Sequence, residues 1–291
     1  MTRFAAALNT GDRKARLRLR RGFVSVVCCA AIVAGVAARA AQFQGRRFGR
    51  FGYGPSVPMN AKYDGAFMFC RIMFRNAPDG DGGGWFVDYP RADVNLSFRL
   101  SELTTTPVSR DSLGEFNHVV IRPTDPALFR CPFIMMTEVG SAYFDDQEAK
   151  ELREYLMRGG FLWADDFWGE YAWEHWVNEL RKVLPSSYPI IDLPMGHPLF
   201  HVLYDVRELP QIPSINWYFG SGGNTSERPD SRVPHARGIE DAHGNLMVLI
   251  THNTDFGDAF EREGDNHEYF ERFAGPGYAV GIDVLLYSMT H

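Results

Sequence analysis

Residues 159–169 read GGFLWADDFWG, and they constrain the fold more tightly than any other stretch. An amphipathic pattern, Ala149, Leu152, Tyr155 and Leu156, runs into the two glycines. Asp145 and Glu148 before it have the spacing of a capping box, and Gly159 sits where a helix needs a left-handed residue to stop. A four-residue apolar run then delivers Asp165 and Asp166. Helix, glycine stop, short buried strand and acids at the strand's C-terminal end make one unit of an open parallel sheet. Such sheets bind ligands outside the carboxyl ends of their strands.

The same alternation recurs along the chain. Apolar runs at residues 67–74, 116–122, 133–136 and 246–251 read as strands, and a short one is expected at Ile190 and Ile191. Helical periods cover 90–103, 168–184 and 277–289. Residues 76–84 (NAPDGDGGG) read as a surface loop, and 209–237 show little periodicity. Short apolar strands alternating with helices predict an α/β fold: a doubly wound, mostly parallel, flavodoxin-like sheet over residues 63–291.

Residues 1–40 stand apart. They hold eight of the 30 basic side chains and one of the 36 acidic ones, leaving the remainder at −13 (22 basic, 35 acidic). A basic segment through Arg20 and Arg21, an apolar stretch over 22–38 and the small-x-small triplet Ala38-Arg39-Ala40 form an export signal. Arg20-Arg21 resembles a twin-arginine motif; a general secretory signal and an uncleaved membrane anchor are the alternatives. Residues 41–62, rich in Arg, Gly, Phe and Pro, read as an irregular arm. The expectation is an exported protein, periplasmic or anchored facing the periplasm, that touches membrane only through its N-terminal segment. The acidic body argues against nucleic acid. Cys70 and Cys131, the cysteines beyond the signal, either pair or pack as small buried hydrophobes.

Several phrases go beyond fold class. FGYGP, YDGAFMFCRIMF, RPTDP with FIMMTE, LREYLMRGGFLWADDFWG, HPLFHVLYDV, LMVLITHNTDFGDAF and GIDVLLYSMTH occur in order. Together they resemble the bacterial domain of unknown function 4159 family over residues 51–291. The resemblance implies an exported or anchored protein with a class I glutamine-amidotransferase-like form of the flavodoxin-like fold. It carries no activity and no catalytic residue. Amidotransferases of that fold hold a cysteine on a glycine-flanked strand-to-helix elbow, whereas Cys70 lies within a strand and Cys131 precedes Pro132.

Candidate site residues follow from topology. Glu138, Asp165, Asp166 and His197 are the acid–base candidates, being at or after strand ends. Asp165, His197, His201 and His252 are candidates for a divalent metal, the one cofactor the residue types suggest. One of the paired aspartates is expected to cap the helix at Trp168. Pro198 makes His197 a helix-start residue, which weakens the His197/His201 i,i+4 pair. Trp163, Phe167, Trp168, Trp173 and Trp176 serve either as core or as a sugar-stacking surface. Two functions compete: an envelope binding or scaffold module for a protein or glycan partner, and a metal-assisted or acid–base hydrolase of an envelope glycan or ester.

Overall fold

The computed structural model describes residues 63–291, so the export signal and the arm expected at 1–40 and 41–62 lie outside the described residues. In chain order the strands are β1 (Phe69–Ile72), β2 (Arg75–Asn76), β3 (His118–Ile121), β4 (Phe133–Thr137), β5 (Ala142–Tyr143), β6 (Phe161–Asp165), β7 (Ile191–Asp192), β8 (His235–Glu240) and β9 (Leu246–His252). The helices are α1 (Arg91–Leu103), α2 (Asp146–Met157), α3 (Gly169–Val183), α4 (Ile215–Gly220), α5 (Phe256–Glu261) and α6 (Gly275–Thr290).

Seven strands form one sheet in the order β3-β1-β4-β6-β9-β8-β7. The pairs from β3 through β9 are parallel, and β8 runs antiparallel to both its neighbours. Alternate side chains feed two cores. Cys70, Ile72, Ile134, Met136, Leu162 and Ala164 face α2 and α3, while Phe69, Phe133, Met135, Phe161 and Trp163 face α1, α5 and α6. Helices therefore cover both faces, which is why the central strands read as continuous apolar runs. After β1 the chain steps outward to β3 and then returns to the other side of β1 as β4. That reversal puts the topological switch point between β1 and β4.

The α2 unit has the expected chemistry. Asp145 accepts from the Gln147 and Glu148 amides, Glu148 returns a bond to the Asp145 amide, and Gly159 has φ 90°. Gly160 is close-packed: a Cβ there would lie 2.3 Å from the Tyr155 ring. The stretch at 209–237 departs from its non-periodic reading. It contains α4 and the start of β8, whose sequence HARGIE carries little apolar signal because two of its three buried positions are the small residues Ala236 and Gly238. Cys70 and Cys131 form a disulfide that joins β1 to the approach to β4. Among the described residues, no helix is long and apolar enough to cross a membrane.

Candidate metal centre

The parallel strands deliver backbone of an unusual kind at their C-terminal ends. Glu138 directly after β4, Asp166 after β6 and Asn253 after β9 all have positive φ, at 56°, 56° and 61°. Asp88, in the loop between β2 and α1, has φ 61°. Left-handed backbone at a non-glycine residue costs on the order of 1–3 kcal/mol and persists where surroundings over-determine it. Three adjacent strands end this way, beside the switch point, so the backbone strain is concentrated at one edge of the sheet.

Beneath it lies a buried anchor. Arg71 of β1 is fully buried and grips Asp93 of α1 through Nε (2.9 Å) and Nη2. Its Nη1 donates to Thr137 Oγ1 (2.9 Å) and to the Trp85 and Val87 carbonyls (3.2 Å each). These bonds hold the chain that presents Asp88.

Asp88, Asp166 and Asp255 are buried, and one carboxylate oxygen of each lies within 4.8 Å of the others. Asp166 Oδ1 accepts from the Trp168 indole N–H (3.2 Å), and Asp255 Oδ1 from the Asp258 amide (2.7 Å). Asp88 Oδ2 is buried with no hydrogen-bond partner. It occupies the space a side chain at residue 257 would need: a Cβ on Gly257 would lie 2.2 Å from it. Burial pushes all three carboxyls well above the usual range. Mutual repulsion adds to this: Asp258 acts on Asp88, Glu138 and Asp88 on Asp166, and Asp166 and Asp88 on Asp255. Arg71 offsets the charge on Asp88, but its guanidinium is already bound to Asp93. Buried, mutually repelling carboxylates with a spare oxygen suit a hard divalent cation such as Mg²⁺, Ca²⁺ or Mn²⁺. A second triad, Asp88, Asp258 and Glu261, shares Asp88. It is served by protein instead: Asp258 accepts from the Ile215 amide and the Tyr269 hydroxyl, and Arg262 lies 2.7 Å from Glu261.

Asp165 has a different task from its neighbour. Its Oδ2 accepts from the Phe256 and Gly257 amides (2.9 and 3.2 Å), and its Oδ1 accepts from the Thr251 hydroxyl (2.5 Å). It therefore ties β6 to the start of α5, and burial outweighs these bonds to push its carboxyl up to about 7. Neither aspartate caps the helix after Trp168, which corrects the expectation. Asn253 Oδ1 accepts from Gly169 N and Asp230 from Glu170 N. Long-range partners took the role that local spacing suggested for Asp165 or Asp166.

Glu138 is partly exposed, and burial raises its carboxyl to about 7 despite a hydrogen bond from the Gly83 amide. The glycine-rich loop lies over it; a Cβ on Gly82 would stand 2.5 Å from Glu138 Oε2. The loop read as plain surface is thus packed on a candidate acid–base group.

The histidines lie apart from this cluster. His197 starts a 3₁₀ turn, Pro198–His201, with Nδ1 accepting from Leu199 N, and its ring packs on Tyr287. Tyr287 in turn meets the amide of Leu246, where β9 begins, so His197 is at the opposite end of the sheet. His201 bonds the Met195 carbonyl and Asp205. His252 bonds the Gly169 carbonyl and Arg237, stacks on Phe167, and is held down at about 4 by burial. Trp163, Phe167, Trp168 and Trp176 are buried core, and Trp173 packs partly buried between Phe167 and Arg237. Sequence reasoning passed over Asp88 and Asp255 as site residues; the faint signal was their position shortly before α1 and just after β9.

A family model described as a domain of unknown function, DUF4159, matches residues 73–289. The chain belongs to this family. The matched span takes in all four carboxylates, Asp88, Glu138, Asp166 and Asp255. No curated protein matches the chain.

Proposed function

We propose that this member of the family is an exported, divalent-cation-dependent hydrolase acting on a glycan or ester of the cell envelope. The observation that carries the reading is the buried triad Asp88, Asp166 and Asp255 with the unpartnered Asp88 Oδ2. Bound there, a divalent cation supplies charge neutralisation and activates water. Glu138, near neutrality at about 7, is suited to take or give a proton at its carboxylate.

The amidotransferase-like reading of the fold expects a cysteine on a strand-to-helix elbow, whereas the residue directly after β4 is Glu138, followed by the 3₁₀ turn Val139–Ser141 and β5. A carboxylate there, in place of cysteine, favours water as the attacking group. The disulfide supports export, since such bonds persist in oxidising compartments.

The binding or scaffold reading is favoured by the same missing nucleophile, and it separates from the hydrolase reading in one experiment. Cation binding is measured calorimetrically for the wild type, Asp166→Asn and Glu138→Gln, alongside hydrolysis of envelope glycan and ester substrates. The hydrolase reading expects binding lost in Asp166→Asn, and binding kept with hydrolysis lost in Glu138→Gln. Cation binding without turnover on any substrate supports the scaffold reading, and absence of binding overturns the cation site itself.

A further inference from the structure

Of the six tryptophans, Trp217 is the most exposed, at 37%, on the short helix α4. It lines a cleft of about 540 Å³ with Asn224, Ser226, Glu227, Arg228 and Arg232. The sugar-stacking role weighed for the tryptophans at 163–176 is closed to Trp163, Trp168 and Trp176 by burial and to Trp173 by its packing between Phe167 and Arg237; Trp217 is the indole that lines an open cleft.

The cleft is preformed by its own hydrogen bonds. The Thr225 hydroxyl donates to Gln211 Oε1 (2.8 Å), and Gln211 Nε2 donates to the Ser231 and Asn253 carbonyls (2.8 and 3.2 Å). Ser231 Oγ accepts from Arg228 N (2.9 Å), and Glu227 Oε1 accepts from Ser214 N (2.6 Å). A pinned wall loses little freedom when a ligand arrives. Arg228 reaches Asp81 at 3.2 Å while staying 46% exposed, and Arg232 has no acidic partner among the described residues. Asp81 balances Arg228, and Glu227 also lines the cleft, so Arg232 is the group on it that offers an anion an uncommitted guanidinium.

A pyranose ring presents a C–H face that suits the negative face of an indole. Its hydroxyls suit the Asn224 side-chain amide, the Ser226 hydroxyl being held by the Arg228 carbonyl and Ser231 Oγ, and a guanidinium matches a carboxylate, sulfate or phosphate in a bidentate manner. We propose that this cleft binds an acidic saccharide, with a sugar ring on Trp217 and the anionic group on Arg232. Arg228 of the cleft pairs with Asp81, whose neighbour Gly82 lies against Glu138 Oε2, so the cleft is beside Glu138. Delivery of the saccharide to Glu138 rests on the hydrolase reading; binding in the cleft does not.

The test is calorimetric titration of the purified protein in EDTA, so that loss of the cation reading leaves it untouched. The probes are oligogalacturonate, its uncharged methyl ester, a heparin-derived sulfated oligosaccharide and a glycan fragment containing N-acetylmuramic acid. At least one acidic probe is expected to bind, and Trp217→Ala to weaken it by roughly 10-fold. Arg232→Gln is expected to weaken that same acidic probe several-fold and to leave the affinity of the methyl ester, where it is measurable, unchanged. Both side chains are exposed, so the variants should keep the wild-type melting temperature. The proposal is overturned if no acidic probe binds, if Trp217→Ala binds like the wild type, or if Arg232→Gln binds the acidic probe as tightly as the wild type.

Discussion

Glu138 and Asp166 end the neighbouring parallel strands β4 and β6 in the same left-handed backbone conformation, φ 56° in each, and their charges repel. Two acids presented this way on adjacent strands, with Asp88 and Asp255 beside them, give the C-terminal edge of the sheet its chemistry.

The adjacent aspartates should separate in their variants. Asp165→Ala strips hydrogen bonds from the Phe256 and Gly257 amides and the Thr251 hydroxyl. It should cost about 2–3 kcal/mol with or without cation. Asp166→Asn removes a repelling charge and should leave the chelated protein as stable as wild type or more so, while abolishing the added stability given by Mg²⁺ or Mn²⁺. At a cation concentration 100 times the dissociation constant that added stability is about 2.7 kcal/mol in the wild type. Urea denaturation in EDTA and in cation measures both.

Stability of the chelated protein should fall as pH rises. Asp165 and Glu138 are raised to about 7 and Asp258 to about 6, all above their unfolded values. A carboxyl with a raised folded pKa contributes stability that is full below its unfolded value near 4 and is lost as pH rises through 6–7. Denaturation midpoints in EDTA should therefore decline between about pH 4 and 8. Cation, which needs ionised ligands, should restore most at the alkaline end. A midpoint that rises across this window would contradict the assigned shifts.

Asp93→Asn should be among the most damaging single changes. It leaves Arg71, fully buried, without its charge partner, a loss of about 3–5 kcal/mol. Because Arg71 also holds the Trp85 and Val87 carbonyls, cation affinity at Asp88 should fall with it. Calorimetric cation titration of the folded fraction checks the second effect.

Cys70→Ser with Cys131→Ser should destabilise the fold by about 4 kcal/mol on loop-closure grounds for a bridge spanning 61 residues. Melting in reducing and non-reducing buffer measures it, and the double variant should be insensitive to reductant.

Much of the scaffold could be read along the chain. The capping box of Asp145 and Glu148, the stop at Gly159 and the apolar strand at 161–165 are local events, decided by residues within a few positions of one another. Strand β8 is faint in the sequence because Ala236 and Gly238, two of its three buried positions, contribute almost no apolar side chain to a period-2 pattern.

The sequence by itself determined the alternation of strands and helices, and so the sheet with two covered faces and the edge where acids would gather. It also nominated Glu138 and the Asp165/Asp166 pair, since a carboxylate directly after a buried strand is a local pattern. Only the tertiary structure decided which acid does what. Asp165 turned to the amides of α5, 91 residues away, while Asp166 met Asp88 and Asp255 from two other loops. It likewise sent His197 to the far end of the sheet and paired Cys70 with Cys131. Periodicity records which face of an element is buried; which remote group waits there depends on strand order, and strand order is fixed by packing across the whole sheet.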